Sequence, residues 1–178
     1  MFRVDQRDFA ICDIIEPPKI PYQESEEFGD DKQKLEDILS EELPDNKSGA
    51  DRKSGLYIFA ELSDAIRFCY RMSNSKIYKL EPLEDTTCYH RGDMNWTEIM
   101  NEFLNNENTL RQMARLYWEG RKTFKPCWEM LVNKIKVTNI IVGDNSRSDL
   151  CRAYQTANGN VEQMDIYTET LNQIRQQE

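Results

Sequence analysis

The run CWEMLVNKIKVTNIIV, Cys127 to Val142, places the tightest constraint on the fold. Trp, Leu, Val and Ile fall in two short blocks, and the polar pair Asn133-Lys134 separates them, which is the pattern of two β-strands bounded by a turn. The spacing predicts either a hairpin or two strands that turn a corner between sheets. The first strand carries Glu129 among apolar neighbours. A carboxylate in such a place needs water, a partner or a ligand to face, so a functional reading of the chain turns on Glu129.

Upstream, Phe2 to Asp5 reads as a strand, and the prolines of DIIEPPKIPY hold the following chain extended. Leu35, Ile38, Leu39 and Leu43 recur at helical spacing, which predicts an amphipathic helix over Lys34 to Leu43. The turn-rich stretch Pro44 to Gly55 is expected to be mobile and, with the acidic segment before it, to border a cleft. LYIFA, Leu56 to Ala60, is a compact apolar strand, and Ser63 with Asp64 supplies a helix start before AIRFCYRM. KIYKL, Lys76 to Leu80, is another strand. Two helical stripes follow, one over Trp96, Ile99, Met100, Phe103 and Leu104, the other over Leu110, Met113, Ala114 and Tyr117 with a stop at Gly120. Beyond Gly143 the chain turns polar until a last helix at about 160–176. Strands separated by helices, but too short and irregular for a doubly wound sheet, predict an α+β fold.

At 178 residues the chain has material for one core, so a single domain over 1–178 is expected, with an acidic helical insertion at about 24–43. No apolar run reaches the ~20 residues needed to span a bilayer. The opening MFRVDQRDF has none of the features of an export signal, and five cysteines without CxxC spacing, beside the single His90, read as buried thiols of a reducing cytoplasm. His90, flanked by Tyr89 and Arg91, is expected on a loop with a structural role.

The formal charge is −9, and Glu24 to Glu42 holds nine acidic residues against two lysines. That segment reads as a solvated helix face, with a basic protein partner for residues 24–42 as the alternative. The remainder has no basic stripe, which argues against bulk nucleic-acid binding. Neither GxGxxG nor GxxxxGK[ST] occurs, which disfavours kinases, P-loop enzymes and Rossmann dehydrogenases. The polar residues lodged at apolar strands remain as candidates: Arg3 in FRV, Ser54 and Tyr57 in KSGLYIF, and Glu129 in WEML.

Taken in order, FRVDQRDF with DIIEPP, GLYIFAELSDAIRF, IYKLEP, RGDMNW, ARLYWEG and WEMLVNKIKV resemble the ADP-ribosyltransferase fold, and within it an uncharacterised bacterial family. The resemblance runs from Met1 to about Val142 and leaves out the acidic segment and the tail. It implies two small antiparallel sheets around a cleft that binds NAD, with flanking helices, and transfer of ADP-ribose to an unknown acceptor or NAD glycohydrolysis. Glu129 would be the catalytic carboxylate beside the ribose, Tyr57 would stack on the nicotinamide, Arg3 would hold the adenine-side ribose or a phosphate, and Ser54 would brace the glutamate; no metal is implied. Three features depart from the family. Arg3 stands on the first strand where one branch of the fold carries His. Lys53-Ser54-Gly55 is a remnant of the usual Ser-Thr-Ser run, and Cys127 stands where arginine-modifying members carry Glu or Gln, which argues against arginine as the acceptor.

Other readings stand beside these. Tyr57 can be a core aromatic, Arg3 can pair with a neighbouring acid, and Glu129 can lie on the wet outer face of an edge strand. A catalytically silent binding module that acts on a protein partner through its cleft or its acidic segment would satisfy all three.

Overall fold

The structure, a computed structural model, describes residues 1–17, 29–47, 49–50, 52 and 55–156. Among these the chain forms seven strands and five α-helices in an α+β arrangement. The strands are β1 (Phe2–Asp5), β2 (Ile14–Ile15), β3 (Leu56–Phe59), β4 (Lys76–Glu81), β5 (Cys88–Asp93), β6 (Trp128–Val132) and β7 (Ile135–Val142). The helices are α1 (Asp30–Glu41), α2 (Leu62–Arg71), α3 (Asn95–Met100), α4 (Glu107–Trp118) and α5 (Asp144–Thr156). No helix among the described residues is long and apolar enough to cross a membrane. The C-terminal helix expected at 160–176 and Ser54 lie outside the described residues.

The strands follow one hydrogen-bonded order, β2-β7-β4-β1-β3-β6-β5, rather than forming two small sheets. Of the two arrangements expected of β6 and β7, a hairpin or two strands that turn a corner, the hairpin is absent. Both edges of β6 are taken, by β3 and by β5, while β7 begins against β2 through Ile14↔Lys136 and Ile15↔Ile135. The turn agrees with this. A tight two-residue hairpin needs positive φ at its first central residue, and among the described residues the non-glycine ones with positive φ are Cys12 and Asn74, so Asn133 does not adopt it. Its amide side chain instead ties the connection to the 85–87 loop, accepting from Thr87 N at 2.7 Å and donating to Asp85 O at 3.1 Å.

The chain divides into two compact units, the first comprising Met1–Asp13, Glu61–Glu81 and Val137–Glu178, the second Ile14–Ala60 and Pro82–Lys136. In the first unit, β1 and β4 pair antiparallel and bury Val4, Ile77 and Leu80, and α2 buries Ala65, Ile66 and Cys69. Arg147 of α5 caps the end of α2, donating from Nη2 to Met72 O at 2.9 Å.

In the second unit, β6 lies between β3 and β5, and α1 and α4 supply the core. Their apolar stripes do the work expected of them: Leu35, Ile38 and Leu39 of α1 join Leu110, Ala114, Tyr117 and Trp118 of α4 and Leu131 of β6 in one cluster. Full burial is worth roughly 1.5–3 kcal/mol for each large aliphatic side chain. Trp118 is the helix-end packing residue, 1% exposed, and its Nε1 donates to Leu39 O at 2.7 Å. α4 is capped at its start by Asn106, whose side chain accepts from Thr109 N, and closes at Gly120 with φ of 70°. α1 begins a turn before the predicted Lys34, because Asp30 and Asp31 favour the positive end of the helix dipole.

Cys12 and Cys88 are exposed, contrary to the expectation of buried thiols; Cys69 and Cys127 are buried, and all five cysteines are free.

Candidate functional site

Side chains alternate across a strand, so the register of β3, β6 and β5 decides which residues meet. Phe59 pairs with Glu129 and Tyr57 with Leu131, while Gly92 and His90 pair with Glu129 and Leu131 from the other side. Tyr57, Phe59, Glu129, Leu131, His90 and Gly92 therefore share one face of the sheet. β6 is an interior strand and Glu129 is 3% exposed, so it has no wet outer face to lie on. His90 is not on a loop; it is buried on β5.

What Glu129 faces is a guanidinium and a phenol. Arg52 Nη1 donates to Glu129 Oε1 at 2.6 Å, and the Tyr117 hydroxyl donates to the same oxygen at 2.9 Å. Oε2 takes neither bond. Arg52 Nη1 also donates to the Tyr117 hydroxyl oxygen at 2.6 Å, which closes the triangle. The opposite edge of the guanidinium is held by Glu36 of α1, with Nε on Oε2 at 2.9 Å and Nη2 on Oε1 at 3.0 Å. Arg52 Cζ lies 4.8 Å from the centroid of the Tyr57 ring and 4.9 Å from that of Tyr117, so the cation rests over two aromatic faces. The Tyr57 hydroxyl donates back to Arg52 O at 2.5 Å.

Each member is set in place by its element. Tyr117 can approach β6 because Gly92 has no side chain: a Cβ there would stand 2.3 Å from Tyr117 Cε2. The chain entering β6 is fixed by Asp93, whose Oδ1 accepts from Cys127 N at 2.9 Å and whose Oδ2 accepts from the Thr123 N and Oγ1, each at 2.7 Å. Arg52 comes from the stretch read as mobile, yet it is 7% exposed, and nearby Lys47 donates from Nζ to Trp118 O.

The electrostatics follow from burial. Desolvation works against charge on Arg52, but Glu36, the two tyrosines and Glu129 outweigh it and hold its pKa well above the ordinary value. Burial pushes the Tyr57 and Tyr117 hydroxyls well up, so both stay protonated donors. His90 is driven down to about 4 by burial and then by the Lys47 ammonium. Its tautomer follows from its partners: Lys47 Nζ, 3.1 Å from Nδ1, can only donate, so Nε2 carries the proton and donates to Tyr117 O at 3.1 Å.

Of the residues singled out by sequence, Tyr57 and Glu129 meet through Arg52. Arg3 belongs to the first unit, where it is buried and donates from Nε to Asp5 Oδ2 at 2.7 Å. Arg7 holds the same carboxylate, and although burial opposes charge on Asp5, the two arginines keep its pKa below the ordinary range. Arg52, Tyr117 and Glu36 were not among the sequence candidates. Tyr117 was read only as core, and Glu36 was one acid among nine. Arg52 sits among turn residues with no apolar periodicity to mark it as buried.

No protein-family model, curated protein or solved structure matches this chain.

Proposed function

We propose that the chain takes NAD at the Arg52–Glu129 cluster and breaks its nicotinamide–ribose bond, passing ADP-ribose to water or to an acceptor. The reading extends the ADP-ribosyltransferase resemblance of the sequence. The observation that carries it is that Tyr57 and Glu129, picked from separate strands, share a sheet face and meet the same guanidinium. As the bond between ribose C1′ and the ring nitrogen lengthens, its electron pair leaves with nicotinamide and positive charge grows on the sugar. A carboxylate there stabilises that charge and orients the ribose hydroxyls. Glu129 supplies it through Oε2, while Oε1 stays fixed by Arg52 and Tyr117. The nucleophile then bonds to C1′ and gives up a proton. The proposal makes no use of Arg3, which is paired with Asp5.

A second reading is favoured by the 3% exposure of Glu129. In it Glu129 anchors Arg52 structurally, and the chain is a catalytically silent module that binds a basic protein through its acidic segment. A groove of about 380 Å³ beside α1 and α4, lined by Asp30, Asp37, Glu41 and Glu107 and also by Lys34 and by Arg111, which pairs with Glu41 and Glu107, would receive that partner.

Nicotinamide release at saturating NAD, with NAD affinity by calorimetry, separates the two. Glu129→Gln is expected to bind NAD nearly as the wild type does and to lose ~10²–10³ in rate. A folded wild type that neither binds NAD nor releases nicotinamide removes the first reading.

A further inference from the structure

We propose that Glu36, carried by the acidic helix α1, is a positioning residue: by holding the Nε and Nη2 edge of the Arg52 guanidinium it sets the orientation in which Nη1 alone reaches Glu129. The inference rests on the reading of Glu129 as the carboxylate beside the ribose.

A guanidinium is a rigid fork that binds carboxylates best through two parallel N–H···O bonds. Two carboxylates compete for Arg52. Glu36 holds the Nε and Nη2 edge through both its oxygens, at 2.9 and 3.0 Å. Glu129 is left with Nη1 alone, which it shares with the Tyr117 hydroxyl. That division keeps Oε2 of Glu129 outside the fork.

The division is enforced from both ends. α1 is held by the burial of Leu35, Ile38 and Leu39, on either side of Glu36 in sequence, and by the Trp118 bond to Leu39 O. At the other end, the Tyr57 hydroxyl fixes the Arg52 backbone. Without the charge of Glu36, the guanidinium has a single anion within reach and every reason to take both of its oxygens. The carboxylate would then be neutralised where the sugar needs it charged. The acidic helix thereby becomes part of the site, although the family resemblance does not extend to it.

Glu36→Gln tests this, since the amide keeps the shape of the side chain but loses its charge and turns one acceptor into a donor facing the guanidinium. The expected results are a fall in kcat for nicotinamide release of about tenfold or more, with KM for NAD within about twofold of wild type, and a crystal structure with two Arg52 nitrogens on Glu129. A purely structural role would lower the amount of folded enzyme without this split. An unchanged kcat, or Arg52 still on Glu129 through Nη1 alone, overturns the proposal. Glu36→Asp retains the charge and loses reach; should Glu36→Gln fail to fold, the same two readouts on Glu36→Asp decide, with wild-type kcat in a variant whose shortened carboxylate has left the guanidinium counting against the proposal. If the wild type releases no nicotinamide, the NAD reading fails by itself, and the crystal structure of the variant still decides whether Glu36 sets the geometry of Arg52.

Discussion

Gly92 and Tyr117 compete for one space: a Cβ on Gly92 would stand 2.3 Å from Tyr117 Cε2, 2.7 Å from Cζ and 2.9 Å from His90 Nε2. None of these atoms is the loose end of a flexible side chain, because both rings are buried and bonded. Gly92→Ala should therefore push the Tyr117 hydroxyl away from Glu129 and destabilise the fold by about 1–3 kcal/mol, the usual penalty of overpacking. Urea denaturation measures the loss, and a stability within about 0.5 kcal/mol of wild type would show that the ring has somewhere to go.

Arg52 and Glu129 form a buried ion pair, and removing Arg52 leaves the Glu129 carboxylate buried without its cation. Arg52→Met should cost about 3–5 kcal/mol. Adding Glu129→Gln to Arg52→Met should recover part of that loss, because the stranded carboxylate is gone. A double-mutant cycle by chemical denaturation reads the coupling. Simple additivity would mean that the two side chains do not depend on each other.

His90 makes stability depend on pH in a defined window. Its pKa is about 4 in the fold against an ordinary 6.5, so between those values the unfolded chain takes up a proton that the folded one refuses. Stability is fully present above about pH 6.5 and is lost as pH falls toward 4, by about 3 kcal/mol in all. Lys47 and Arg52 face the ring as cations, and protonation would add a third positive charge beside them. His90→Gln should flatten the melting temperature over this range relative to wild type. An equal slope in both proteins would assign the acid sensitivity to other groups.

Phe124 is 97% exposed on the connection between α4 and β6, in a loop whose backbone is held at Thr123 by Asp93. Phe124→Ser should change stability by less than about 0.5 kcal/mol. A larger loss in thermal melts would show that the ring packs against something in solution.

Much of this arrangement could be read from the chain. β1, β3, β4, β6 and β7, and the stripe of α4, are written in apolar residues at the period of the element, the signal that sequence reading detects best, whereas the stripe expected over Trp96 to Leu104 is cut short, with α3 ending at its buried Met100 and Phe103 exposed in the 3-10 turn that follows. β5 was missed because its buried positions are His90, Gly92 and Asp93, which carry no hydrophobic pattern. α5 was missed for a related reason: DNSRSDLCRAYQT is polar nearly throughout. Glu129 and Tyr57 stood out because each breaks an apolar run. Arg52 could not, since a cation beside Lys53 among turn residues looks solvated whether or not it is, and only the tertiary fold brings it within 2.6 Å of Glu129. The sequence left the pairing of β6 open between a hairpin and a corner, because a short polar turn between two strands does not say which edges they use.

The place of β6 between β3 and β5 bears on how the second unit is made. Both neighbours precede it in the chain, and during synthesis they leave the ribosome with no strand to join them. The ladder closes only when residues 128–132 emerge, so the three-stranded part of the second unit assembles by late insertion of its middle member. Such long-range closure is slow compared with local contacts. A nascent chain halted before Trp128 would hold Tyr57 and His90 on unpaired strand edges, and Glu129 would arrive with the very segment that completes the sheet.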